Sequence, residues 1–105
     1  MELIKGGIYT SSFSTNILIS ESQKAYFVAL IENEIDMTDY VFINQNSIIQ
    51  KLKKLIPNKI HICFADKTTD YFNEQIDGYL GEIPEYLLID LENLLVEQDW
   101  YKKWK

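Results

Sequence analysis

Apolar residues in the first two thirds of the chain form short runs that are typical of strands. Ile8 to Thr10 and Ile17 to Ile19 are separated by the polar segment Ser11 to Asn16, and this arrangement predicts two short strands or a hairpin. Tyr40 to Ile43 and Ile60 to Phe64 are compact apolar runs between polar residues, and they predict buried strands.

The segment that follows the first two runs supports two interpretations. Ser20 and Gln23 have the spacing of a capping box, which predicts a helix from Glu21 to about Glu34. The run Ala25 to Ile31 is rich in aromatic and β-branched residues, which favour a strand. The local pattern leaves both interpretations open.

Three later segments predict helices. The first begins at Asn46 or Ser47 and ends at Pro57, and one of its faces is apolar: Ile48, Ile49, Leu52, Leu55 and Ile56. The second begins at Asp66 or Thr68, runs to about Leu80 and ends at Gly81.

The third predicted helix is long. Leucines recur at helical spacing between Pro84 and Trp104, so we expect one helix there. A strand from Tyr86 to Ile89 followed by a shorter helix is the alternative. Together these elements predict a single α/β domain over residues 1–105, with about four short strands in a sheet covered by amphipathic helices. An α+β fold with an N-terminal hairpin is the other arrangement they allow.

Composition narrows the class of protein. A chain of 105 residues with 47% apolar and 13% aromatic residues is expected to fold as one domain. Cys63 is the only cysteine, so we expect a reduced thiol and a cytoplasmic location. The N-terminus lacks a basic region followed by a long apolar run, and the longest apolar run is too short to cross a membrane. We therefore expect no signal peptide and no membrane association.

Charge is unevenly distributed along the chain. Residues 1–60 contain six Lys and six acidic residues, whereas Asp66 to Asp99 contains ten acidic residues and a single base, Lys67. The chain has no Arg, and its formal net charge is −6. This distribution favours cationic partners and disfavours nucleic acid and anionic lipid.

Four acidic residues, Asp66, Asp70, Glu74 and Asp77, have helical spacing in the second predicted helix. On one helix they would share one side, and like charges stacked in this way destabilise a helix slightly. The stripe therefore predicts a surface for a cationic partner, although an ordinary solvated helix face is the alternative. Carboxylates on one rigid helix rarely surround an ion, so we expect no metal.

The long C-terminal helix predicts a second candidate surface. Opposite its leucines lies an apolar stripe with acidic residues beside it: Ile89, Glu92, Val96, Asp99, Trp100 and Trp104. A helix that is apolar on two sides is either buried on both or presents one side to a partner. In the competing interpretation, Trp100 and Trp104 close the edge of the core.

The other residues with catalytic or ligand-binding potential give weaker signals. His61 and Cys63 lie in an apolar strand and indicate a structural pair rather than a nucleophile and base. Thr68 and Thr69 are expected to cap the next helix. The chain contains no GxGxxG or GxxxxGK[ST] motif, so we expect no cofactor and no enzymatic activity.

The sequence thus predicts a small acidic protein that inhibits or neutralises a basic protein. Its size and charge are typical of immunity proteins against nuclease-type bacterial toxins, and of some phage inhibitors of host nucleases. A small-ligand or enzyme domain that uses the polar loops Asn44 to Asn46 and Asp66 to Asp70 is one alternative. A homo-oligomerisation module is another.

Overall fold

The N-terminal runs form the hairpin that their pattern predicts. A computed structural model describes residues 3–12, 14–21, 24–32 and 40–104. In it β1 (Gly7–Ser11) pairs antiparallel with β2 (Ser14–Glu21), and Ile8 lies opposite Ile17.

The ambiguous segment is a strand, so the predicted helix over 21–34 is wrong. β3 (Lys24–Ile31) pairs with β2 on one side and with β5 (His61–Thr68) on the other. Every residue from Ala25 to Ile31 is buried. Burial on both sides of a segment is typical of a central strand covered on both faces of its sheet. β2 immediately precedes β3 in the sequence, whereas β5 and the helices that cover the two faces lie far from it. Residues 33–39, which include the predicted end of that helix, lie outside the described residues.

Six strands form one sheet in the order β4-β5-β3-β2-β1-β6, and all neighbours pair antiparallel. The edge strands are β4 (Tyr40–Phe42) and β6 (Ile76–Glu82), and α1 (Asn46–Leu55) connects β4 to β5. The domain is therefore a small α+β fold with an N-terminal hairpin and six strands rather than about four.

The helix predicted over 66–80 is much shorter. α2 (Thr69–Gln75) ends where β6 begins, because the following residues pair with β1, with Tyr79 opposite Tyr9. Two register shifts leave Asp77 and Leu80 as extra residues in β6. Such bulges protect an edge strand from pairing with other chains.

The predicted long C-terminal helix is two helices, α3 (Glu85–Val96) and α4 (Asp99–Trp104), and the alternative strand at 86–89 is absent from this described segment. The chain turns at Glu97 and Gln98. Gln98 Nε2 donates a hydrogen bond to the Leu94 carbonyl (3.1 Å), and the Gln98 carbonyl accepts one from the Tyr101 amide (3.2 Å). The turn redirects α4 so that Tyr101 is buried against the ring of Tyr26, with centroids 5.0 Å apart.

The two faces of the sheet bury different side chains. Large aliphatic residues dominate the face under α1, α3 and α4, for example Ile17, Val28 and Leu30. Several small residues, including Ala29, Cys63 and Ala65, lie on the face under α2. Three helices cover the first face, and the side of α3 that is turned away from the sheet is exposed. None of the four helices in the described part of the chain has the length and apolar character needed to cross a membrane.

Candidate functional site

Helix α3 carries apolar residues on two sides. Its inner side packs into the core through Leu87, Leu91, Leu94 and Leu95. On the outer side Tyr86, Ile89 and Val96 are 57%, 49% and 51% exposed. We call this side, together with the acidic residues beside it, the α3 outer face: Glu85, Tyr86, Ile89, Asp90, Glu92, Val96 and Glu97. Its apolar residues belong to neither core cluster.

Two lysines from outside the helix contact acidic residues of the α3 outer face. Lys5 Nζ lies 2.6 Å from Glu92 Oε1, and Lys51 Nζ lies 3.4 Å from Asp90 Oδ2. Both pairs are well exposed to solvent, and such pairs typically contribute about 0–1 kcal/mol to stability. Among the described residues, no ion pair involves Glu85 or Glu97. The apolar stripe therefore lies in a negative field that is only partly neutralised.

The structure brings together three residues of the predicted C-terminal surface and separates the others from them. Ile89, Glu92 and Val96 share the outer side of α3. Trp100 does not continue their line, because the turn at 97–98 places its ring against the core, with its centroid 5.5 Å from that of Phe64. These contacts match the interpretation in which Trp100 closes the edge of the core. Asp99 is exposed in the first turn of α4, and the side chain of Trp104 lies outside the described residues.

The predicted acidic stripe is divided between two sides of the sheet. Asp66 belongs to β5, opposite Tyr26 of the three-helix face, and its carboxylate lies 3.2 Å from Lys24 Nζ. Asp70 and Glu74 are exposed on α2, which covers the other face. Asp77 is exposed in a bulge of β6. These acidic residues therefore do not form one helix face, because α2 ends at Gln75.

A cleft separates α1 from the second half of α3. It contains two adjoining pockets of about 300 and 220 Å³ that share Gln45 and Leu94. Polar side chains line most of it: Asn44, Gln45, Ser47, Lys51, Asp90, Asn93, Glu97 and Gln98. At one end Lys51 Nζ lies over the ring of Tyr86, 5.4 Å from its centroid.

A smaller recess lies on the face covered by α2. Asn16 is only 2% exposed, and its Oδ1 accepts a hydrogen bond from Ser14 Oγ (2.9 Å). The space beside them is about 40 Å³. A water molecule needs about 10–15 Å³ of accessible space, so the recess has the size of a few water molecules.

The residues with catalytic potential have structural surroundings. Cys63 is buried, its Sγ donates to the Ala29 carbonyl (3.6 Å), and burial raises the pKa of the thiol to about 12. A thiol with so high a pKa is protonated at neutral pH, whereas a nucleophile must be a thiolate. His61 packs edge-on against Phe42. Thr68 caps α2 as predicted, since its Oγ1 accepts a hydrogen bond from the Tyr71 amide (3.3 Å).

The two loops of the alternative small-ligand site lie at opposite ends of β5. The Ile43 amide donates to the Ile62 carbonyl (3.0 Å), which places Asn44 to Asn46 near the start of that strand. Asp66 to Asp70, predicted as a loop, is instead the end of β5 and the start of α2, about 20 Å away along the strand. The two segments therefore do not line one small site. Among the described residues, no group of three or more His, Cys, Asp or Glu side chains is arranged to hold a metal ion.

Tyr86 is the apolar residue of the α3 outer face that the predicted surface does not include. Its position three residues before Ile89 fits the same helical period, so the helical pattern could have identified it. Comparisons of the chain with protein-family models, curated proteins and solved structures give no match.

Proposed function

We propose that this chain is a small binding protein that neutralises a basic protein, and that the α3 outer face is its docking surface. One observation carries the proposal. The outer side of α3 exposes Tyr86, Ile89 and Val96 although the inner side already holds the helix to the core. These apolar residues are therefore available for a contact that folding does not require.

The acidic residues of the α3 outer face favour a cationic partner. An apolar centre with a charged margin has the composition of a protein interface. The acidic residues beside the stripe would accelerate association with a basic surface, and burial of the apolar residues would slow dissociation. The acidic residues of α2 and β6 lie elsewhere on the domain, so they would act through the long-range field and not through contact with the same surface.

A nuclease toxin is the partner class that best fits this chemistry. Nucleases carry cationic clefts for their phosphate substrate, and an acidic protein can cover such a cleft. In this role the chain would act as an immunity protein. The support for this partner class is the net charge of −6 and the small size of the domain.

Homo-oligomerisation through the same surface is disfavoured by its charge. In a symmetric dimer built on the α3 outer face, the acidic residues of one copy would be brought close to those of the other: Glu85, Asp90, Glu92 and Glu97. Like charges facing each other across an interface weaken it. A mass measurement at several concentrations separates the two assemblies.

The test is co-expression with the product of the reading frame beside this gene. We expect that product to be basic, toxic when expressed alone and tolerated when this chain is present. The purified pair should associate more slowly as salt rises from about 0.05 to 0.5 M, because screening shortens the reach of the acidic field. A neighbouring product that is neither basic nor toxic overturns the toxin assignment. An association rate that does not depend on salt contradicts the electrostatic part of the proposal.

A further inference from the structure

We propose that the cleft between α1 and α3 binds one cationic side chain, preferentially arginine, at Tyr86 and Asp90. Lys51 of the same chain holds this position in the free protein. That the cationic side chain comes from a partner protein rests on the proposed function. The site itself rests on the chemistry of Tyr86 and Asp90.

Tyr86 and Asp90 form a composite site for a cation. They are one helical turn apart on α3, so the ring and the carboxylate lie on the same side of the helix. Lys51 Nζ is 3.4 Å from Asp90 Oδ2 and 5.4 Å from the centroid of Tyr86. A carboxylate and an aromatic face are the two groups that most strongly bind an ammonium or guanidinium group at a protein surface.

The cleft beyond this site has space for a side chain from outside. Lys51 and Asp90 line the pocket of about 300 Å³, together with Asn93 and Glu97 further along α3. Among the described residues that line this pocket, Lys51 is the one cation, whereas the α3 wall contributes two carboxylates. Pockets of about 300 Å³ and above are the size class that accepts small organic groups. The cleft therefore has the volume and charge to admit a cationic side chain that reaches Asp90 and replaces Lys51 there.

Arginine should displace Lys51 because the pair that Lys51 makes is weak. Both partners of the Lys51–Asp90 pair are well exposed, and solvent screens such pairs. A guanidinium group donates two parallel hydrogen bonds to one carboxylate and stacks on an aromatic ring, which the ammonium of Lys51 cannot do. Lys51 has a flexible stem and can move into solvent when arginine enters.

The experiment uses a small probe and requires no partner protein. The ¹⁵N-labelled chain is titrated by NMR with N-acetyl-arginine amide, and N-acetyl-citrulline amide serves as the neutral probe of the same shape. We expect saturable shifts in residues 45–51 and 86–97 with the arginine probe only. Lys51→Met should raise affinity for the probe about threefold or more, because it removes the internal competitor. Asp90→Asn should lower it about tenfold.

Lys53→Met is the matched control for Lys51→Met. Lys53 is exposed on α1, so its removal changes the net charge equally without touching Tyr86 or Asp90. If Lys51→Met and Lys53→Met raise the affinity equally, the effect is general electrostatics and the site is overturned. Equal binding of the citrulline probe overturns it as well.

A further variant keeps the test decisive if Asp90→Asn perturbs the fold. Tyr86 is exposed, so Tyr86→Leu should preserve folding and still weaken arginine binding. Unchanged binding in a folded Tyr86→Leu variant contradicts the aromatic part of the site. If the probe binds as expected but the neighbouring product does not, the proposed function fails and the site stands. If that product binds while the probe does not, the proposed function stands and the site fails.

Discussion

Both sides of helix α3 carry large apolar residues, but the surroundings of the two sides are opposite. On the inner side, Leu91 is fully buried beneath the helix. On the outer side, Ile89 and Val96 are about as apolar as leucine and remain half exposed. The difference lies in what each side faces, because the inner side meets the sheet and the outer side meets solvent.

This contrast separates the residues that fold the domain from those available for binding. A helix needs one buried side to be held in place, and the leucines supply it. A second apolar side with acidic residues beside it adds nothing to that core. The contrast therefore predicts that substitutions on the two sides of one helix have effects of different size and kind.

The largest effect on stability is expected from Leu91→Ala. Removal of a fully buried leucine side chain leaves a cavity and should reduce the free energy of unfolding by about 2–5 kcal/mol. Ile89→Ala, two residues away on the outer side, should change it by less than about 0.5 kcal/mol. Urea denaturation of both variants measures the difference. Equal losses would mean that the outer side also stabilises the fold.

A smaller loss is expected from Trp100→Ala. The ring packs against the core beside Phe64 but is only partly buried, so we expect a loss of about 2 kcal/mol, below that of a fully buried tryptophan. Trp100→Phe keeps an aromatic ring near Phe64 and should restore part of that stability. The melting temperature of each variant measures the effect. A folded Trp100→Ala variant with unchanged stability would return Trp100 to the list of binding residues.

The sequence pattern predicted those elements whose structure depends mainly on residues close by in the sequence. The hairpin, β4, β5 and α1 were predicted because each has its own apolar run or helical face. β3 remained ambiguous, since the helices that bury its two faces lie far away in the sequence. β6 was predicted as helix because only its pairing with β1 makes it a strand. Six strands rather than four follow from these two differences.

The candidate site was also predictable only in part. Ile89, Glu92 and Val96 were identified because they lie within one uninterrupted helix. Trp100 was assigned to the same stripe because no proline or glycine marks the turn at Glu97 and Gln98, which is made by hydrogen bonds to Leu94 and Tyr101. The acidic stripe was assigned to one face because α2 was expected to be longer. Periodicity indicates a shared face only as far as the helix extends.

The most direct test of the account is the affinity of the double variant Ile89→Ser with Val96→Ser for the product of the neighbouring reading frame. Ile60→Ser with Leu80→Ser is the matched control, because Ile60 and Leu80 are also exposed but lie outside α3. We expect the α3 variant to bind about a hundredfold more weakly, since loss of a hot-spot residue costs about 2 kcal/mol or more and every 1.4 kcal/mol is about tenfold in affinity. Its melting temperature should stay close to that of the unmodified chain, and the control should bind normally. Unchanged affinity in a folded α3 variant would contradict the assignment of the α3 outer face as the docking surface.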